Sequence, residues 1–344
     1  MFAAIIGPAV EARSLPFSPP MPMPEPRLHH VTCPGLPGAP RGAQPHDGSH
    51  RMAYWEWNET GDPAHPHVVV CVHGLSRQGR DFDVLARALA PHARVVCPDV
   101  VGRGCSDWLQ DPMGYGIPLY AADMLALLAQ LQAEAPIATL DWVGTSMGGL
   151  IGMVVGGQPG LPLPVPVRRM VLNDVGPAIE WDAVQRIARY LGAAMEFGSV
   201  EEGTAALRSV SQGFGPHSDA DWATLSRPMF VPADGADAAG ARPGAVRLHY
   251  DAGIAVAVKA LTAEAAAQSE AVLWTLYDHV GAETLLLRGA DSDLLSRATA
   301  DALSRRGPRA RVVEFEGVGH APTLVAADQV QAVRDFLLGD AAAA

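Results

Sequence analysis

Short apolar runs alternate along this chain with longer segments in which apolar residues recur at helical spacing. HVVVCV at 67–72, RVVCPD at 94–99 and TLDWVG at 139–144 have the continuous apolar character of strands buried on both faces of a parallel sheet. Between them, GRDFDVLARALAP and LYAADMLALLAQLQAE place apolar residues three and four positions apart, as amphipathic helices do. Strands that alternate with helices in this way predict an α/β fold with a mostly parallel, doubly wound sheet.

The alternation stops after the strand RRMVLND and resumes near TLLLRGAD. The intervening residues 175–268 carry helical patterns, so they predict a helical cap, or lid, inserted after the sixth strand and lying over the strand ends. The core is then expected to comprise residues 51–174 and 269–340. Residues 1–50 are rich in Pro, Gly and His and predict a flexible Pro-rich N-terminal tail, within which LHHVT is the stretch able to add an edge strand.

Composition and charge narrow the classes of partner. The formal net charge is −12 without a balancing basic block, which argues against nucleic acid and anionic membrane surfaces. The four cysteines lack zinc-type spacing, and the tail histidines His29, His30, His46 and His50 lie in a segment expected to be flexible, without a supporting set of carboxylates. We therefore expect a cytoplasmic monomer or homodimer that acts on a small molecule, with no stable membrane association, no cofactor and no metal.

The pentapeptide GTSMG at 144–148 stands where a buried strand gives way to a helix. Glycines on both sides of Ser146 permit a turn too tight for side chains, and such a turn raises the serine hydroxyl above the carboxyl edge of the sheet. The helix that follows directs unpaired N–H groups and its positive dipole end toward the same point. Ser146 is therefore the predicted nucleophile.

Loops after two other strands supply the complementary chemistry. VHGLSRQ follows the first long buried strand, and it predicts that the N–H of Leu75 pairs with the N–H of Met147 in an oxyanion hole. His320, in GVGHAP after the last strand, is the predicted base, because a histidine flanked by glycine and small residues belongs to a loop. A serine needs an imidazole to take its proton, and the imidazole needs a carboxylate to fix its tautomer.

With these residues placed, the chain resembles the α/β-hydrolase superfamily from about residue 51 to residue 340. HGLSRQGRDFD, PDVVGRGCSDW, GTSMGG, LNDVGP and LRGADSDLLS are similar to motifs of capped bacterial esterase-like serine hydrolases. The resemblance implies that the acid lies a few residues after the glycine of the seventh strand, which favours Asp293 and leaves Asp291 as an alternative. Another branch of the superfamily has its acid after the sixth strand, where this chain has Asp174.

The resemblance implies a serine hydrolase that cleaves a carboxylic ester through an acyl-enzyme. Small to medium, fairly apolar acyl groups suit the cap, and hydroxyalkanoate oligomers are among them. The candidate substrate contacts are His73, Gly74, Arg103, Trp108 and Trp181. The cap aromatics that are candidates for an acyl pocket are Trp181, Tyr190, Phe197, Trp222 and Phe230.

Three alternative functions remain open at this point. A C–C bond hydrolase of the ring-fission-product type would need basic residues such as Arg103 or Arg77 to hold the carboxylates of its substrate. Cofactor-free acyl transfer or perhydrolysis would use the same triad. A non-catalytic binding protein would have a broken triad, whereas this chain has the nucleophile, the base and candidate acids. Haloalkane dehalogenation is disfavoured, because it needs a carboxylate where Ser146 stands.

Overall fold

The computed structural model describes residues 25–35, 48–193, 196–233 and 244–339. The strands are β1 (Arg27–Cys33), β2 (His50–Trp57), β3 (His67–Val72), β4 (Arg94–Asp99), β5 (Thr139–Thr145), β6 (Val167–Asn173), β7 (Glu196–Phe197), β8 (Phe230–Pro232), β9 (Val246–Leu248), β10 (Glu283–Gly289) and β11 (Arg311–Phe315). The α-helices are α1 (Asp83–Leu89), α2 (Ile117–Glu134), α3 (Met147–Gly157), α4 (Trp181–Tyr190), α5 (Val200–Val210), α6 (Asp219–Ser226), α7 (Ile254–Ala260), α8 (Ala263–His279), α9 (Arg297–Leu303) and α10 (Ala327–Leu338).

Eight strands form one sheet in the order β1-β2-β4-β3-β5-β6-β10-β11. β1 and β2 pair antiparallel with their neighbours, and the pairs from β4 to β11 are parallel. The expected α/β-hydrolase fold is therefore confirmed, with the mostly parallel sheet at its centre.

The stretch LHHVT lies in β1, at one edge of the sheet. Val31 and Cys33 of this strand are buried, so the edge strand that LHHVT was expected to be able to add is present in residues 27–33 of the tail. Most of that tail, residues 1–24 and 36–47, lies outside the described residues.

The sheet is buried on both faces, which explains its continuous apolar strands. Val68, Val70 and Val72 of β3 pack in one core layer with α2 and α3, whereas Val69 and Cys71 pack in the other with α1 and α10. All five side chains are fully buried. Successive side chains of a strand point to opposite faces, so an apolar run is what a strand between two helical layers requires.

The segment between β6 and β10 contains helices α4–α8 and a small antiparallel sheet in the order β7-β9-β8. The helix-rich pattern of the sequence did not predict this sheet, because strands of two or three residues leave no alternating pattern. The predicted boundary at residue 268 falls inside α8. This helix packs on α3, where a side chain at Gly157 would collide with the carbonyl of Leu276. Within the described ranges, no helix has both the length and the apolar character needed to cross a bilayer.

Candidate active site

Ser146 occupies the sharp bend between β5 and α3. Its backbone adopts φ +51° and ψ −116°, a conformation that costs a non-glycine residue about 1–3 kcal/mol and that persists when the surroundings enforce it. The Ser146 N–H donates to the carbonyl of Asn173 (2.9 Å), and its carbonyl accepts from the N–H of Gly149 (2.9 Å). These bonds fix the serine at the end of the strand and the start of the helix.

The two glycines that flank the serine permit the close backbone approach that this bend needs. A Cβ at Gly144 would collide with the carbonyl of Gly148, and a Cβ at Gly148 would collide with the carbonyl of Val72 in β3. Both obstacles are backbone atoms, which move only if the sheet or the helix moves.

Gly148→Ala is expected to lower the free energy of unfolding by about 1–3 kcal/mol, because the added methyl group overpacks the junction between α3 and β3. Gly281→Ala is the matched control, since nothing lies within 4 Å of its added Cβ. Replacement of an unstrained glycine by alanine should change stability by no more than about 1 kcal/mol. Urea denaturation of both variants checks the expectation, and equal midpoints would contradict it.

His320 connects the serine to a buried carboxylate. Its Nε2 lies 3.0 Å from Ser146 Oγ, and its Nδ1 lies 2.7 Å from Asp174 Oδ2. The imidazole follows β11 in the loop predicted from the sequence. It is 14% exposed and lines the cavity, whereas Asp174 is fully buried beneath it. The structure therefore brings together the predicted nucleophile, the predicted base and one of the three candidate acids.

Asp174 is held by several hydrogen bonds at the end of β6. Its Oδ1 accepts from the N–H of Gly289 (2.9 Å), and its Oδ2 accepts from Ser292 Oγ (2.6 Å) as well as facing His320. The residue is fully buried and adopts φ +55°. Donors on both oxygens fix the carboxylate toward the imidazole and offset the cost of burying its charge.

The preference for Asp293 as the partner of His320 is not supported by the geometry. Asp293 is 51% exposed and pairs with Arg186 of α4 (2.6 Å), so its carboxylate faces the cap. Asp291 is exposed on the wall of the site. The placement of Asp174 has a topological reason: β6 lies between β5 and β10, so a residue at its carboxyl end is next to both the serine bend and the last loops.

His73 braces the loop that follows β3. Burial lowers the pKa of its imidazole to about 3, so the ring is neutral. Nε2 accepts from the N–H of Val100 (2.9 Å), which leaves the proton on Nδ1 to donate to the carbonyl of Gly74 (2.7 Å). The backbone at Gly74 passes beside the nucleophile, since a Cβ there would lie 3.7 Å from Ser146 Cβ.

Two further side chains of this loop bind the cap. Arg77 forms a bidentate pair with Asp81 (2.6 Å for both bonds) and also donates to the carbonyl of Leu225 (2.8 Å). Gln78 donates to the carbonyl of Pro228 (2.5 Å). The loop that passes the nucleophile is therefore tied to the last turn of α6 and to the residues that follow it, and the charge of Arg77 is paired.

A cavity of about 520 Å³ opens over Ser146 and His320, between the strand ends and the cap. Its walls combine apolar side chains, such as Leu75, Ile187 and Met229, with polar ones. Among the polar lining residues that the sequence did not single out, four belong to the cap: Arg186, Ser209, Ser211 and Gln212. They lie on cap segments without a motif, so only the folded cap reveals them.

The structure places some of the predicted substrate contacts at the cavity and the others away from it. His73 and Gly74 line the cavity, whereas Arg103, Trp108 and Trp181 are absent from its described lining. Arg103 is fully buried behind the site, and the Trp108 ring lies under the guanidinium of Arg247 (5.6 Å). Among the five cap aromatics named from the sequence, Tyr190 lines the cavity, and it is joined there by Phe214 and Tyr250.

Away from the cavity, Cys33, His50 and Asp123 form a buried cluster whose ligand-type atoms lie within 4.8 Å of one another. Burial raises the pKa of the Cys33 thiol, with the Asp123 charge adding to the effect, so the sulfur is a neutral S–H. His50 Nε2 lies 3.1 Å from Asp123 Oδ2. These residue types can hold a divalent ion, but in this arrangement they form a His–Asp hydrogen bond with a protonated thiol beside it.

Comparison with known proteins agrees with this architecture. The model of the alpha/beta hydrolase family matches residues 69–334. A 3-hydroxybutyrate-oligomer hydrolase of Cupriavidus necator is 48% identical over 85% of this chain and 94% of its own. A 2-(acetamidomethylene)succinate hydrolase of Mesorhizobium japonicum is 26% identical over 78% of this chain and 87% of its own.

Among solved structures, an alpha/beta hydrolase from Novosphingobium aromaticivorans superposes with a TM-score of 0.73 and 30% identity, covering 92% of this chain and 99% of that one. The fold, the match along the chain and these relatives establish that the chain belongs to the alpha/beta hydrolase family.

Proposed function

We propose that this hydrolase cleaves the ester bonds of short hydroxyalkanoate oligomers, with Ser146 as nucleophile, His320 as base and Asp174 as the acid of the triad. The observation that carries the proposal is the continuous hydrogen-bonded relay from Ser146 Oγ through His320 to Asp174, with distances of 3.0 Å and 2.7 Å. Its serine end opens into the cavity under the cap.

Acylation follows from this relay. With the Nδ1 proton directed at Asp174, His320 Nε2 is free to accept the serine proton as Ser146 Oγ attacks the ester carbonyl. The carbonyl oxygen becomes an oxyanion, for which the N–H groups of Leu75 and Met147 are the proposed donors. The imidazolium then gives its proton to the departing alcohol oxygen, and the acyl group remains on the serine.

Deacylation reverses the roles of the same groups. A water molecule replaces the alcohol, His320 takes one of its protons, and the resulting hydroxide attacks the acyl carbonyl. The second tetrahedral intermediate uses the same oxyanion donors. Its collapse releases the carboxylic acid, and the proton held by His320 returns to Ser146 Oγ.

The oligomer substrate is supported by the relative from Cupriavidus necator and by the walls of the cavity. A hydroxyalkanoate oligomer alternates short apolar segments with ester oxygens. Leu207 and Met229 offer apolar contact, while Ser209 and Gln212 are polar side chains able to face the ester oxygens. This mixture suits a chain with repeated carbonyls better than it suits a long alkyl group.

C–C bond hydrolysis receives less support. That reaction needs cations for the carboxylates of its substrate, and the two arginines named from the sequence are not available. Arg103 is fully buried outside the described lining of the cavity, and Arg77 is paired with Asp81.

The proposal is tested by incubating the enzyme with 3-hydroxybutyrate trimer, p-nitrophenyl butyrate and a ring-fission dienoate in parallel. We expect 3-hydroxybutyrate and p-nitrophenol to be released, and the dienoate to remain. In water labelled with ¹⁸O, one label should enter the carboxylate that is newly formed at each cleaved ester, because water resolves the acyl-enzyme. Turnover of the dienoate without ester cleavage would assign the site to C–C hydrolysis instead.

A further inference from the structure

Arg103 lies behind the nucleophile and contacts both residues of the proposed oxyanion hole. Its Nε–H donates to the carbonyl of Leu75 (2.9 Å), and its second terminal nitrogen, Nη2, lies 3.6 Å from the sulfur of Met147. The other terminal nitrogen, Nη1, donates to the carbonyl of Val101 (2.7 Å) and to Tyr120 Oη (3.0 Å). The guanidinium thus joins the loop after β3 to the first turn of α3.

The charge of this guanidinium has no carboxylate partner. Within the described ranges, no aspartate or glutamate oxygen lies within 4.0 Å of it. The rings of Tyr115 and Tyr120 lie 5.8 Å and 5.0 Å from it, and Tyr115 donates its own proton to Asp251. Among the residues that the structure describes, this fully buried cation therefore meets only neutral acceptors and aromatic rings.

Burying an unpaired charge costs several kcal/mol. A bound anion would offset that cost, and a serine hydrolase forms one during each turnover. The tetrahedral intermediate places its negative oxygen between the N–H groups of Leu75 and Met147, which are the residues that Arg103 contacts.

We propose that Arg103 is the positioning residue of the oxyanion hole, an inference that rests on the proposed function of the site. Through its bond to the Leu75 carbonyl and its contact with Met147, it holds the two donor residues at a fixed separation. Its uncompensated positive charge also favours the oxyanion in a region where little water screens the interaction.

The cap takes part in this arrangement through the backbone that carries Arg103. Gly104 N–H donates to the carbonyl of His249 (3.0 Å), and Asp251 N–H donates to the carbonyl of Gly102 (2.8 Å). Tyr250 lies between these bonds and lines the cavity. The cap segment after β9 thereby fixes the loop from which the guanidinium reaches the oxyanion hole.

The effect should appear in kcat more than in KM. An ester in the ground state carries only a partial charge on its carbonyl oxygen, whereas the transition state carries nearly a full one. A contribution to charge stabilisation therefore acts mainly on the chemical step. Loss of a donor in such a site typically lowers the rate by about 10²–10³-fold, and loss of its support should cost about 10–10²-fold.

The test compares Arg103→Met, which removes charge and donors, with Arg103→Lys, which keeps the charge. Arg305→Met, at a residue whose side chain is 72% exposed, is the control for net charge. Active sites are counted by end-point labelling with a fluorophosphonate, so that kcat refers to folded enzyme. Hydrolysis of p-nitrophenyl butyrate gives kcat and KM, and the inhibition constant of a trifluoromethyl ketone reports binding of the oxyanion.

We expect Arg103→Met to lower kcat per labelled site by about 10–10²-fold with KM changed by less than about threefold, and to raise the inhibition constant of the ketone in proportion. Arg103→Lys should recover part of the loss, and Arg305→Met should match the wild type. An unchanged kcat per labelled site in both Arg103 variants, even with fewer labelled sites, would overturn the inference by showing a purely structural role. Failure of the wild type to hydrolyse any ester would instead remove the proposed function.

Discussion

Replacing Ser146 with alanine is expected to lower kcat for ester hydrolysis by about 10⁴–10⁶-fold, because no other group in the relay can form the acyl-enzyme. The same change should abolish labelling by a fluorophosphonate. In the wild type, mass mapping should place the adduct on the peptide that contains GTSMG. The side chain of Ser146 donates no bond that holds the fold, so the variant should keep the stability of the wild type.

Ser269→Ala serves as the control for this experiment. Ser269 is exposed on α8 and bonds only to the carbonyl of Ala265 within the same helix. Its variant should label and turn over like the wild type. Labelling that persists in Ser146→Ala, or that maps to another serine in folded wild-type protein, would refute the assignment of the nucleophile.

Asp174→Asn is expected to lower kcat by about 10⁴-fold. An amide keeps the shape of the carboxylate but has one acceptor oxygen and no charge. It cannot accept from both Gly289 N–H and His320 Nδ1 or stabilise the imidazolium, so the ring of His320 loses its productive tautomer. Asp293→Asn is the matched comparison. Its carboxylate is half exposed and pairs with Arg186, and loss of a surface ion pair is worth no more than about 1 kcal/mol, which corresponds to less than tenfold in rate.

Both aspartate variants should be compared by kcat and KM on the same ester. A large loss in Asp293→Asn together with a small one in Asp174→Asn would restore the acid favoured by the sequence motif, and it would require the loop after β10 to move in solution.

The serine bend and the position of His320 are predictable from sequence, because each depends on residues close to it along the chain. Gly144, Ser146 and Gly148 are within five residues, and the collisions that a side chain would cause there involve the backbone of the same turn and of β3. His320 stands at a strand end in a glycine-rich loop. Apolar runs placed both segments at carboxyl ends of parallel strands, which is where ligands bind in such sheets.

The acid could not be chosen from sequence alone because the chain order of serine, acid and base is satisfied by Asp174, Asp291 and Asp293 alike. The choice depends on which strand end lies beside the histidine, and the strand order supplies that only after folding. One local signal existed: Asp174 directly follows a buried strand and precedes a glycine and a proline, whereas Asp293 lies four residues beyond the last glycine of its strand.

Arg103 illustrates a second limit. Its position on a loop near the site suggested contact with substrate, because a sequence does not show whether a side chain points into a cavity or behind it. The rings of Tyr115, before α2, and Tyr120, within α2, pack beside the guanidinium. Arg103 therefore lies behind the cavity and is absent from its described lining. The sequence likewise does not show that polar cap residues such as Arg186 and Gln212 line the cavity.

Asp174 is the last residue of the core before the chain enters the cap. Its position divides the sequence into a part that carries the proposed catalytic residues and a part that covers the cavity. The proposed nucleophile, base and acid and the loop at Leu75 all lie outside residues 175–253, while the cap residues that line the cavity lie within that single stretch of sequence. Recombination that exchanges residues 175–253 can change which substrates enter the cavity and leave the proposed catalytic residues unchanged. The reaction and the choice of substrate can therefore change through substitutions in different parts of the sequence.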